Sequence, residues 1–120
     1  MYFRLVISAR HPDSHRYQGI FVAAYALARS DDIEEYERDR IYEPLEWFGE
    51  HLIAPIWVSD RAIFWFRPDA RECVRRVWDL AVELKGHGRP IRALHCPNPG
   101  RIEYEDEHQI AAIPHRHVRC

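Results

Sequence analysis

The sequence predicts an α+β fold, a two-layer domain with three helices on a mostly antiparallel or mixed sheet of about five strands. Three observations predict it. Period-two alternation opens the chain and returns near its end. Apolar stripes of helical period fill three stretches between. The elements run strand, helix, helix, strand, helix, strand, strand, strand, which is not the strict alternation of a parallel doubly wound sheet.

Residues 2–8 place Phe3, Leu5 and Ile7 on one face and Tyr2, Arg4, Val6 and Ser8 on the other, as a strand does. His11-Pro12-Asp13-Ser14-His15 reads as a turn, with Asp13 or Ser14 as N-cap of a helix over 16–28. That helix is apolar nearly all round, which predicts burial on several sides. A second helix starts at Ser30-Asp31-Asp32, with Asp31 and Glu34 at capping-box spacing. Pro44 inside it predicts a kink or break near Glu43.

Residues 54–60 read as a loop or short edge strand. Ala62-Ile63-Phe64-Trp65-Phe66 is an unbroken apolar run and reads as a central strand. Asp69 and Glu72 have capping-box spacing ahead of the clearest helix, whose stripe runs from Ala70 to Val82 and ends near Gly86. Residues 91–95 form a short strand. Residues 101–105 and 109–113 form a hairpin with an acidic tip. One domain over 1–114 and a tail over 115–120 complete the chain.

Composition bounds the function. Seventeen Lys+Arg against 19 Asp+Glu leave a formal net charge of -2, so a strongly basic nucleic-acid binder is not expected. No apolar run reaches the roughly 18 residues of a membrane helix. Three cysteines without paired spacing are not a disulfide framework, which points to a reducing, cytoplasmic setting.

Several residue groups could carry chemistry. Arg10, His11, Ser14, His15 and Arg16 surround the predicted helix start, where free N–H groups favour an anion. The letters of a catalytic triad occur there, but no nucleophile elbow does, and helix capping explains Asp13 and Ser14. His115, His117 and Cys120 are ligand types zinc takes, yet they lack paired spacing. Phe64 and Phe66 share a strand face, as base-stacking aromatics do, without the accompanying signature. Trp47, Phe48 and Trp57 fall beside the predicted kink and loop as interface anchors. Glu105, Asp106 and Glu107 form a charged tip that could meet a basic partner or simply block strand addition.

Tyr17-x-Gly19-Ile20-Phe21-x-Ala23-Ala24, Glu46-Trp47-Phe48, Ile63-Phe64-Trp65-Phe66, and the segment from Pro99-Gly100 through Tyr104-Glu105-Asp106-Glu107-x-Gln109-Ile110 to Pro114 carry a resemblance. Together they resemble a group of small uncharacterised bacterial proteins across most of residues 15–114. The resemblance implies one intact domain and no particular activity.

The reading is a small cytoplasmic binding or regulatory module without catalysis and with no cofactor. It pairs with a protein partner or with itself as a homodimer. One alternative is a small enzyme or ligand-binding protein for a phosphate- or carboxylate-bearing substrate at the first strand–helix turn. Another is metal binding through the C-terminal His and Cys.

Overall fold

The computed structural model describes residues 1–10 and 17–115, and only the backbone of residues 9, 10 and 17. Among them, six strands and three helices follow one another: β1 (Tyr2–Arg10), β2 (Tyr17–Gly19), α1 (Ile20–Ala28), α2 (Glu35–His51), β3 (Ile63–Phe66), α3 (Arg71–Gly86), β4 (Ile91–Cys96), β5 (Arg101–Glu105) and β6 (Gln109–Ile113). These strands pair antiparallel, in one curled sheet. The α+β expectation holds.

The register explains how one sheet serves two apolar clusters. β4 pairs along β1 from Tyr2↔Cys96 to Ile7↔Ile91. The opposite edge of β1 is shared by β3, through Phe3↔Phe66, and β2, through Val6↔Gly19. β6 follows β3, and β5 follows β6. Side chains alternate across a strand, so odd and even residues of β1 go to different sides. Phe3 and Leu5, with Phe66, join the helices in the larger core. Val6, with Trp65, Leu94, Cys96, Ile110 and Ala112, forms a second cluster.

Helices pack on the first face. Ile41, Leu80 and Leu84 are fully buried there. Each such side chain contributes about 1.5–3 kcal/mol relative to exposure. The stripe predicted on α3 is buried at Cys73, Val77 and Ala81, but its Trp78 and Val82 are exposed, and Leu80 and Leu84 complete the buried face instead. Cys73 is a free thiol, pushed up to about 11 by burial first and then by the Asp106 and Glu72 charges.

Helix starts differ from expectation. The first helix begins at Ile20, because Tyr17–Gly19 pairs with β1 as a strand. Its N-cap is Gly19, without a side-chain cap, and Asp13 and Ser14 lie outside the described residues. α2 begins at Glu35, and its capping box is Glu34 with Glu37, one turn later than Asp31 with Glu34. α3 is N-capped by Ala70 with no side-chain cap. Asp69 instead lies 3.5 Å from Arg67, and Glu72 turns to Arg75 and Arg76 at 2.6 and 2.9 Å. At α1 strand pairing, and at α3 nearby cations, displace the expected cap, while α2 keeps a capping box three residues further on.

Pro44 does not break α2, which runs unbroken from Glu35 to His51. The proline is buried where α2 packs on α3, and that packing holds the helix across the missing donor. Arg38 ties α2 to the end of α1 by donating to Ala28 O at 2.7 Å and Ser30 O at 3.0 Å, so carbonyls at and beyond the helix end gain a partner.

Candidate interaction surface

The chain between α2 and β3, residues 52–62, is rich in apolar residues without a helical or strand period. Pro55 is buried and supplies a break. The segment is a loop pinned at several points to itself and to the hairpin. The buried side chain of Gln109 donates to Ile53 O at 2.7 Å. Ser59 N–H donates to the Glu103 carboxylate at 2.9 Å. Ala62 N–H and Arg61 N–H donate to Ser59 O and Oγ. The Trp57 ring meets Tyr104 edge-on, with centroids 5.8 Å apart.

These anchors leave the loop's own apolar groups outside. Ile56 is 96% exposed, Trp57 69% and Ile53 58%. The sheet continues the surface. Phe64 pairs with Ala111, and Tyr104 pairs with Ala111 from the other side, so the three form one row across β3, β6 and β5. Phe64 stays partly exposed in that row. Ile102, paired with Ala112 on the other side of the β5 irregularity, is also exposed.

Both signs of charge border this surface. Arg67 pairs with Glu105 at 2.7 Å, and Arg101 stands 3.6 Å from Glu103. Those two arginines compensate the hairpin carboxylates. Asp106 builds the hairpin tip. It accepts from Tyr104 Oη at 2.7 Å, His108 N at 2.8 Å and Gln109 N at 2.9 Å. Burial pushes its carboxyl up, but these donors outweigh it and hold the group below its usual range. Glu107 is exposed at the tip, 3.3 Å from His108.

The residues expected at an interface therefore separate. Trp57, Glu105, Asp106 and Glu107 belong to one end of the molecule. Phe48 belongs to the core, packed against Phe21 and Phe66. Trp47 is half-buried, with His51 stacked on its ring at 4.2 Å and the Arg76 guanidinium 5.0 Å from its centroid. Sequence reasoning missed Ile53, Ile56 and Tyr104 as members of this surface. Their one signal is an apolar loop with no period, Ile53-Ala54-Pro55-Ile56-Trp57.

The other candidates gather less. His11, Ser14, His15 and Arg16 lie outside the described residues, and Arg10 is described only as the end of β1. His117 and Cys120 also lie outside them, and His115 is exposed. Among the described residues, no group of three or more His, Cys, Asp or Glu is placed to hold a metal ion. Phe66 faces the helices and is buried, so it cannot stack a base beside Phe64. Cys96 is disulfide-bonded, although the cysteine count and spacing predict no disulfide framework. A groove of about 340 Å³ between α2 and α3 is lined by residues including Arg40, Glu43, Arg76 and Asp79. No helix among the described residues is long and apolar enough to cross a membrane.

Glu72 falls from 4.5 to about 2 through hydrogen bonds from Arg75 and then Arg76, yet it sits on an exposed helix face as a structural pair. Cys73 is held protonated and enclosed, the opposite of a reactive thiol. Compared with family models, with curated proteins and with solved structures, the chain matches none of them.

Proposed function

We propose that this protein is a non-catalytic protein-interaction module whose docking face is the loop 52–62 with the adjoining β5–β6 hairpin. The observation that carries this is an exposed Trp57 beside Ile56 and Ile53 on a loop fixed by Gln109, Glu103 and Tyr104. An aromatic that is both exposed and preorganised suits an interface anchor, because little side-chain and loop freedom is lost on docking. Cytoplasmic placement belongs to this proposal as well. It rests on the odd cysteine count and the free Cys73 thiol, while the disulfide at Cys96 weighs against it.

A photo-crosslinking amino acid at position 57, introduced in cells that make the protein, tests the docking face. The expected result is one discrete adduct that is lost with Ile56→Asp and absent when the crosslinker sits at position 82 on α3. Equal adduct patterns from both positions, or none from 57, overturn the reading.

The segment between β1 and β2 keeps a second reading as an anion site, now without the helix start that the sequence placed there, because α1 begins at Ile20. Its candidate residues are Arg10, His11, Ser14, His15 and Arg16. A thermal-shift screen with phosphate and organic carboxylates tests it, since a ligand that binds the folded state raises the midpoint. A flat screen across both anion classes would sink it.

A further inference from the structure

The loop-and-hairpin surface also indicates what covers it. We infer that a second copy of this chain docks there, in a two-fold dimer centred on Trp57; this rests on the docking face proposed above. Three features select a copy over a partner of one charge sign.

The first is area. Ile53, Ile56, Trp57 and Phe64 remain partly to almost wholly exposed. Together they present on the order of 500 Å² of apolar surface, near the upper end of what monomers leave uncovered. A standard interface takes about 800 Å² per partner, so this patch with its polar rim is of matching size.

The second is charge. A two-fold interface places the same surface opposite itself, so it must complement itself. The rim supplies both signs at exposed positions: Asp60 and Arg61 in the loop, Arg101 at the start of β5 and Glu107 at the hairpin tip. A surface built for a basic partner would lack those arginines.

The third is shape. Ile56 and Trp57 protrude from the loop, while Phe64 and Tyr104 stay partly accessible in the sheet beside them, on either side of the buried Ala111. Knob and platform occur on the same end of one chain. A two-fold rotation presents the knob of each copy to the platform of the other. Simple edge-to-edge extension of the sheet is disfavoured, because β5 carries an irregularity at Glu103 and three charges in five residues.

Sedimentation velocity of the full chain from about 1 µM to about 500 µM reads the association. The expected result is a concentration-dependent rise from 14.3 kDa toward twice that mass. Trp57→Ala raises the dimer dissociation constant about 30-fold or more, as loss of a central anchor does. Val82→Ala, at an exposed α3 position, leaves it unchanged. Far-ultraviolet circular dichroism confirms that each variant is folded. Arg101→Glu weakens the dimer, and Glu107→Arg in the same chain restores part of the loss.

A 14.3 kDa species at every concentration overturns the dimer. A dimer indifferent to Trp57→Ala overturns its location. If the crosslinker at position 57 then yields adducts only with a different protein, the docking face stands and the second copy does not. Adducts of twice the chain mass support both.

Discussion

Gly100 is the position where one methyl group should cost most. It begins the turn into β5 with φ +126°, a conformation that side-chain-bearing residues rarely adopt. A Cβ there would overlap the carbonyl oxygen of Ile113 and lie 2.7 Å from Ile113 C and 2.9 Å from Pro114 Cα. All three atoms are backbone, so no rotamer change relieves the overlap. β5 must move away from β6 at the Arg101↔Ile113 pair. Backbone strain of about 1–3 kcal/mol and one or two lost ladder bonds of about 1 kcal/mol each give about 3 kcal/mol for Gly100→Ala. For a domain of this size that lowers the melting temperature by about 10 °C. Two glycines serve as references. Gly88 has φ +78° but open space around a Cβ, so Gly88→Ala carries strain alone, about 1 kcal/mol. Gly49 lies within α2 with nothing nearby, so Gly49→Ala stabilises by about 0.5–1 kcal/mol. Urea titration of the three variants reads the order directly. A Gly100→Ala protein as stable as Gly88→Ala would refute the reasoning, because the backbone contact would then cost nothing. The loss should also reach the docking face, since Tyr104 and Glu103 on β5 hold Trp57 and Ser59.

Two further perturbations test what holds the hairpin tip and the helix pair. Asp106 has a carboxyl held low in the folded state, so its contribution is present above its ordinary value of 3.8 and is lost as pH falls through the lower folded value. Asp106→Asn should therefore destabilise by about 1–2 kcal/mol at pH 7 and flatten the acid limb below pH 3.8, measured by urea midpoints across pH. Identical acid limbs in both proteins would remove Asp106 from the explanation. Arg38→Ala takes the donor from Ala28 O and Ser30 O and should cost about 2 kcal/mol, with hydrogen exchange rising first at the end of α1.

Periodicity carried most of the fold into the sequence. The alternation at Phe3, Leu5 and Ile7 assigns the helix-facing side of β1 correctly at Phe3 and Leu5, and the hairpin at 101–105 and 109–113 lies where the turn chemistry put it. Local signals failed where other groups, near or far in the chain, compete for the same atoms. Asp69 and Glu72 look like a capping pair, but Arg67, Arg75 and Arg76 take their carboxylates. Pro44 looks like a helix break, but burial beside α3 holds the helix through it. Residues 17–19 look like the first turn of a helix, but β1 recruits them as a strand. The docking face was half legible. Trp57 and the acidic tip stand out by residue type. Their meeting depends on Gln109 reaching Ile53 across 56 residues and Glu103 reaching Ser59 across 44, which no local pattern encodes.

Hydroxyl-radical footprinting of Trp57 tests the docking role most directly. Its oxidation rate is measured in dilute purified protein and inside the cells that make it, with Trp78, the exposed tryptophan of α3, as the internal reference. If Trp57 anchors an interface, it oxidises readily when dilute and several-fold more slowly in the cell relative to Trp78. An unchanged ratio between the two tryptophans would contradict the proposal that this face docks a protein.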